Sequence, residues 1–154
     1  MLKGFSHNTS HVSDPMPAAA GIAVLDVVSG ERLVDRAGSL GRRLREGLSE
    51  LQARHECIGD VRGRGLLAGL ELVDDRDTRA PALGLATLIW RECLARGLAI
   101  HAIPTGPRAH CFRIAPPLTV SEGQLDAGLT ILDESIGTVV RRYCSPAQRL
   151  AAVS

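Results

Sequence analysis

The sequence predicts an α+β fold, in which a small antiparallel sheet has helices packed on one face. Two observations lead to this prediction. The chain has 154 residues, a length that suits one domain with a single hydrophobic core. Its patterns run in the order helix, helix, strand, strand, helix, strand, strand, helix. Because strands and helices do not alternate regularly, a doubly wound parallel sheet is less consistent with the sequence.

The N-terminal third is expected to contain a loop and two helices. Residues 1–17 are polar and rich in turn-forming residues, which indicates an ordered loop. A mostly buried helix is expected over residues 17–30, because proline fits the first turn of a helix. Apolar residues then recur every three or four positions with arginine and glutamate between them. This pattern predicts an amphipathic helix over residues 33–54.

The middle of the chain is expected to form two strands, an exposed turn and a helix. Residues 58–64 and 66–73 predict the strands, and Gly63 and Gly65 predict a bend or bulge between them. After the turn, a further apolar repeat predicts a helix that is closed by Gly97.

The last third is expected to contain two more strands and a long helix. The strands are predicted at residues 98–103 and 111–114. Ser121 and Gln124 fit a capping box, which starts a helix whose apolar face extends to Tyr143. The residues that follow are expected to be a frayed tail.

Composition and charge argue against several classes of protein. Apolar residues make up 45% and charged residues 23% of the chain, as in soluble globular domains. The net charge is +1, which gives no reason to expect nucleic acid or an anionic membrane as partner. The longest apolar stretch, residues 18–28, is interrupted by Asp26 and is shorter than a membrane span. The first residues do not resemble a signal peptide, so a cytoplasmic location is expected.

Metal, disulfide and phosphate motifs are weak in this sequence. The four cysteines contain no close pair, so reduced and mostly buried thiols are expected. His7 and His11 are separated by residues that do not predict a helix, so they are not expected to share a metal ion. Gly63-Arg64-Gly65 lacks the third glycine of a dinucleotide fingerprint and indicates a tight bend.

Arg113 is the strongest candidate for a binding residue. It has apolar neighbours on a short predicted strand, which predicts partial burial of its side chain. A buried guanidinium needs a partner, and two remain open from the residues alone. One is an internal aspartate or glutamate, and the other is a ligand carboxylate, which the planar guanidinium can hold through two hydrogen bonds.

Three blocks of sequence stand in a recognisable order: HVSDPMPAA at 11–19, CIGDVRGRGL at 57–66 and FRIAPPLTVSE at 112–122. Together they resemble the C-terminal third of the class III aminotransferases, over about residues 4–137. Among members of that family, the pattern is most similar to 2,2-dialkylglycine decarboxylase, a lyase.

This resemblance implies a domain organisation. Enzymes of the family have the fold-type I architecture, with a large domain that binds pyridoxal 5′-phosphate, a small C-terminal domain, and active sites at the interface of an obligate homodimer. By that likeness, residues 1–29 are the end of the large domain and its linking helix, and residues 30–142 are the small domain. Residues 143–154 are the tail.

The resemblance also assigns roles to individual residues. Ser10 stands where the family usually has a threonine whose hydroxyl reaches the cofactor phosphate of the neighbouring subunit. In the decarboxylase, the positions of Ser10, Val12 and Asp14 supply oxygen ligands to an alkali metal ion, which suits a hard cation. Asp14 also fits a helix cap before Pro15, and both roles could hold at once. Arg113 matches the arginine that binds the substrate carboxylate.

One departure from the family limits what the chain is expected to do. The family's Schiff-base lysine and the acidic partner of the pyridinium nitrogen precede the first block by a long stretch of sequence. The single lysine of this chain, Lys3, lies too close to Ser10 to match that position. We therefore expect a truncated gene product or fragment that contains no catalytic residue of its own.

The sequence thus predicts the C-terminal part of a pyridoxal phosphate-dependent aminotransferase or dialkylglycine decarboxylase. Its substrate is expected to be an amino acid or keto acid, and the intact enzyme is expected to be a homodimer. The alternative is a non-catalytic fragment that serves as an interaction or dimerisation module. That alternative predicts an exposed apolar patch on the surface that the large domain would cover.

Overall fold

A computed structural model describes residues 14–102, 106 and 109–143. The described chain divides into two compact units between Val34 and Asp35. The elements, in chain order, are α1 (Pro15–Gly30), α2 (Leu33–Arg54), β1 (Ile58–Arg64), β2 (Leu67–Asp75), β3 (Ala80–Pro81), α3 (Leu83–Ala95), β4 (His101–Ala102), β5 (Cys111–Ile114) and α4 (Glu122–Tyr143).

The strands form one small antiparallel sheet, which confirms the predicted α+β class. The strand order is β1-β2-β5-β4, and the short β3 pairs with the end of β2. Leu70 of β2 lies opposite Val61 of β1 and Phe112 of β5. Because side chains alternate along a strand, these three residues share one face of the sheet.

That face of the sheet forms the hydrophobic core with α2, α3 and α4. Every third or fourth residue of each helix is apolar and buried, as an amphipathic helix requires. The core residues supplied by the helices are Leu40, Leu44, Leu48, Leu51, Leu85, Ala86, Ile89, Cys93, Leu125, Leu132, Ile136 and Val139. Those supplied by the strands are Ile58, Ala68, Leu70, Leu72 and Phe112. The opposite face of the sheet carries mostly polar side chains.

The β1–β2 hairpin turns as its glycines predict. Gly65 has φ of +55°, a left-handed conformation that favours glycine. A Cβ atom on Gly63 would lie 2.3 Å from the carbonyl oxygen of Leu67. A Cβ atom on Gly41 of α2 would lie 2.4 Å from the backbone of Gly65. The turn therefore packs directly against α2.

The predicted capping box of α4 is present. The Ser121 hydroxyl accepts a hydrogen bond from the Gln124 backbone N–H at 3.1 Å, and the Gln124 side chain accepts one from the Ser121 N–H at 2.9 Å. Two strands differ from the prediction. Residues 98–100 of the predicted strand 98–103 lie outside β4, and residue 103 lies outside the described residues. β3 forms in the predicted exposed turn because it pairs with β2.

Helix α1 differs from its predicted burial. It begins at Pro15 and ends at Gly30, close to the predicted bounds, but none of its residues is buried. Ile22, Val24 and Leu25 are all more than 60% exposed. The apolar composition correctly predicted a helix but wrongly predicted that it is mostly buried. No helix in the described part of the chain is both long and apolar enough to cross a membrane.

Candidate functional site

Arg113 lies on β5, within the polar face of the sheet. It is opposite Gly69 of β2 on one side and His101 of β4 on the other. Its neighbour Phe112 is 1% exposed and points into the core. Because successive side chains alternate in direction, Arg113 points away from the core. The glycine opposite it has no side chain to cover the guanidinium.

The surroundings of Arg113 favour a ligand carboxylate as its partner. Its side chain is exposed, so the prediction of partial burial was wrong, because the apolar neighbours lie on the other face of the strand. Within residues 14–102 and 109–143, no ion pair or side-chain hydrogen bond engages it. The internal aspartate or glutamate that the sequence left open is therefore not found in the described part of the chain.

Two acids on the same face of the sheet as Arg113 bind another arginine. Arg62 of β1 donates hydrogen bonds to Asp60 and, at 2.9 Å, to Oε2 of Glu71. These hydrogen bonds raise the pKa of Arg62. Together with a hydrogen bond from His110, the one from Arg62 lowers the pKa of the Glu71 carboxyl, so Glu71 is ionised near neutral pH. Two arginines of one sheet face thus differ, since only Arg62 has internal acidic partners.

A groove of about 390 Å³ runs beside Arg113. His101 of β4 and Pro116 and Pro117, which follow β5, line it together with Leu98. The groove places apolar side chains next to a guanidinium that has no acidic partner among the described residues. Such a surface suits a small molecule with a carboxylate and a short apolar body, since the guanidinium can form two parallel hydrogen bonds to the carboxylate.

Asp14 has the capping role that the sequence allowed. Its backbone is extended, and its carboxylate accepts a hydrogen bond from the Met16 N–H at 3.2 Å, at the start of α1. The metal role implied for Asp14 stays a prediction. Its partners in that role, Ser10 and Val12, lie outside the described residues, as do Lys3 and the histidine pair.

The sheet also brings together three side chains that sequence spacing did not single out. Glu71 on β2 meets Cys111, the first residue of β5, and His110, which directly precedes β5. Residues 71 and 110 are far apart in the sequence, so no motif indicated their contact. The register between β2 and β5 reveals this contact, because it places Glu71 opposite Cys111.

Comparison with known proteins places this geometry in a family. The model for "Aminotransferase class-III" matches residues 1–136. An uncharacterized aminotransferase of Schizosaccharomyces pombe is 38% identical over 91% of this chain and 31% of its own length. The 5-aminovalerate aminotransferase of Pseudomonas aeruginosa is 38% identical over 81% of this chain and 29% of its own length. An ethanolamine-phosphate phospho-lyase homolog of Caenorhabditis elegans is 38% identical over 79% of this chain and 26% of its own length.

Solved structures show the same relationship. A Bacillus anthracis aminotransferase superposes with a TM-score of 0.80 at 29% identity, over 88% of this chain and 32% of that structure. An amine transaminase from an uncultivated Pseudomonas species, in its PLP-bound internal aldimine form, gives a TM-score of 0.78 at 30% identity, over 88% of this chain and 30% of that structure. The chain thus spans about a third of the length of the proteins it matches.

Proposed function

This chain belongs to the class III aminotransferase family, and from that premise we propose that it is the C-terminal part of an enzyme that transfers amino groups with pyridoxal 5′-phosphate. The PLP-bound form of a similar transaminase supports the choice of cofactor. We propose an amino acid or keto acid as substrate and a homodimer as the working assembly, as the family resemblance implies.

The role proposed for Arg113 is to bind the substrate carboxylate. The observation that carries it is an exposed guanidinium on a central strand, with a groove beside it and no acidic partner in the described part of the chain. Binding the carboxylate would orient the substrate, and orientation selects which bond at the α-carbon reacts. A coupled decarboxylation is a further proposal that rests on the similarity to 2,2-dialkylglycine decarboxylase.

The described residues do not fit the covalent binding of the cofactor. Pyridoxal phosphate enzymes hold the cofactor through a lysine amine, and the cofactor supplies the electron sink. The single lysine of this sequence is Lys3, which lies outside the described residues. We infer that Lys3 is not the catalytic lysine and that this chain alone is inactive. Ser10 as phosphate contact and Ser10, Val12 and Asp14 as alkali metal ligands remain proposals.

Substrates with and without a carboxylate test the role of Arg113. In a full-length family member that has an arginine at the position of Arg113, we expect the change to alanine to lower kcat/KM for an amino acid about 10²–10³-fold, because a paired charge is lost. The kcat/KM for the matching amine, which lacks the carboxylate, should hardly change. Steady-state kinetics with both substrates measures this difference.

Two further variants make this test specific. Lysine at the same position keeps the charge but loses the two parallel hydrogen bonds, so it should restore only part of the activity. Alanine at the position of Arg42, an exposed residue of α2, should leave both substrates unaffected. An equal loss with the amino acid and the amine would show that the arginine serves the fold and not the carboxylate.

One observation favours the alternative, a non-catalytic interaction module. Helix α1 exposes Ile22, Val24, Leu25 and Val27, which are the kind of residues that partner surfaces cover. Light scattering of the chain at increasing concentration separates the alternatives. A monomer at every concentration would argue against a dimerisation module.

A further inference from the structure

Glu71, His110 and Cys111 form a compact cluster of potential metal ligands. Each offers one ligand atom, and the three atoms all lie within 4.8 Å of one another. The set combines a carboxylate oxygen, an imidazole nitrogen and a sulfur. Such a mixture is characteristic of sites for Zn²⁺ and similar transition metals, whereas Mg²⁺ and Ca²⁺ prefer oxygen ligands alone.

The sheet backbone holds the cluster in place. Glu71 and Cys111 are directly opposite each other in the β2–β5 register, so their side chains leave the same face of the sheet. The backbone N–H of Leu72 donates a hydrogen bond to the carbonyl oxygen of His110 at 2.9 Å. The pairing of two strands therefore positions Glu71 and Cys111, and the backbone hydrogen bond from Leu72 ties His110, the residue before β5, to β2.

The distances are close to those of a bound ion. Zn²⁺ binds nitrogen and oxygen at ~2.0–2.2 Å and sulfur at ~2.3 Å, so a tetrahedral site holds its ligand atoms roughly 3.3–3.8 Å apart. Oε1 of Glu71 already lies 3.1 Å from Nε2 of His110. Small side-chain rotations would bring the three ligand atoms around one ion.

The neighbouring residue Arg62 and the burial of the His110 ring bear on how the proposed ligands are oriented. Arg62 donates a hydrogen bond to Oε2 of Glu71, which leaves Oε1 facing His110. A charged partner of this kind orients a ligating carboxylate and offsets part of the negative charge. His110 is 9% exposed, and its Nδ1 is buried without a hydrogen-bond partner in the described part of the chain. Coordination through Nε2 would place the ring proton on Nδ1, so His110 would act as a neutral imidazole ligand.

We propose that Glu71, His110 and Cys111 bind one divalent transition-metal ion of the Zn²⁺ type, which joins β2 to β5. Three protein ligands leave the fourth tetrahedral position to water. Cys111 and Arg113 are two positions apart on the same strand, so their Cα atoms lie about 7 Å apart along β5. This site requires neither the pyridoxal cofactor nor the proposed function.

Cobalt titration of the full 154-residue chain tests the site directly. The chain is first reduced and freed of metal with a chelator, and Co²⁺ is then added. We expect one Co²⁺ per chain, with the charge-transfer absorption of a cobalt–thiolate bond, and displacement of the Co²⁺ by Zn²⁺. Cys111→Ser should abolish that absorption. Glu71→Gln and His110→Gln should weaken Co²⁺ binding by more than the ~10–100-fold that loss of a supporting residue costs.

Matched variants identify the ligands. Cys57 is another partly exposed cysteine, and Cys57→Ser should keep the cobalt–thiolate absorption. A double change of His7 and His11 to alanine should also keep it. Circular dichroism in the presence of chelator verifies that each variant is folded. Absence of Co²⁺ binding, or cobalt–thiolate absorption that persists in folded Cys111→Ser, would overturn the proposal.

Discussion

At the scale of single residues, neighbouring charges decide what each arginine of the polar sheet face does. Arg62 lies beside Asp60 and Glu71 and binds both. Arg113 lies beside Gly69 and His101, neither of which offers a negative charge. Both arginines lie in predicted strands, and sequence alone did not distinguish their surroundings. Strand register supplied the distinction, because it determines which side chains are adjacent across the sheet.

The ion pair at Glu71 predicts a pH-dependent contribution to stability. Its pKa is lower in the folded state than in the unfolded chain, so its contribution is present above pH ~4.3 and is lost as pH falls through the folded-state pKa. At pH 7 with chelator present, Glu71→Gln should lower the free energy of unfolding by about 1 kcal/mol or less, since the pair is partly solvated. Urea denaturation at several pH values measures this.

A matched variant isolates that effect. Glu50 is exposed on α2, and Glu50→Gln should change stability little at any pH. The difference between the original protein and Glu71→Gln should shrink towards pH 3, because protonated Glu71 no longer forms an ion pair. A difference that stays constant from pH 7 to pH 3 would contradict the assigned ion pair.

At the scale of elements, the contact between α2 and the β1–β2 turn depends on glycine. A Cβ atom on Gly41 would meet the backbone of Gly65 at 2.4 Å, and that turn cannot move without disturbing the hairpin. We expect Gly41→Ala to destabilise the chain by ~1–3 kcal/mol, the usual cost of overpacking. Urea denaturation at neutral pH measures the change.

Gly38 provides the control for this prediction on the same helix. A Cβ atom there would meet nothing within 4 Å. Gly38→Ala should therefore stabilise the chain by about 0.5–1 kcal/mol, because alanine loses less backbone freedom in a helix than glycine does. If both substitutions stabilise the chain, the close approach of α2 to the turn is wrong.

Another element-level contact involves a residue whose partners were not predicted. Arg76 lies in the predicted exposed turn after β2. Its guanidinium donates hydrogen bonds to the carbonyl oxygens of Gln52, His55 and Glu56, at the end of α2. A cation at this end of a helix satisfies carbonyl groups that lack partners within the helix. The turn therefore helps to determine where α2 ends.

At the scale of the whole molecule, the two compact units differ in burial. The unit that begins at Asp35 contains the sheet and the helices α2–α4 in one core. Helix α1 belongs to the other unit and contains no buried residue. The chain spans about a third of the length of the relatives it matches.

Hydrogen exchange should distinguish the two units. Backbone amides of α1 should exchange much faster than those of Leu70 and Phe112, because local opening of an uncovered helix costs little free energy. Mass spectrometry of the exchanging chain at low concentration measures this. Equal protection of α1 and the central strands would show that α1 is covered, and protection that rises with concentration would identify a second copy as the cover.

The sequence by itself determined the elements and the class of the fold. Apolar spacing set the bounds of α2 and β1 closely, and the capping box marked the start of α4, because periodicity and capping act between residues close in the chain. The three sequence blocks also indicated the family that the comparison confirms. Arg113 was a candidate because its apolar neighbours predicted a partly buried guanidinium, and the resemblance then implied that it binds the substrate carboxylate.

Tertiary structure alone decided which residues meet. The exposure of Arg113, the exposure of α1, the contact of Gly41 with Gly65 and the cluster of Glu71, His110 and Cys111 all depend on surfaces that are distant in sequence. The physical reason is that burial and ligand geometry arise from the packing and register of separate elements, whereas sequence patterns report on the local backbone.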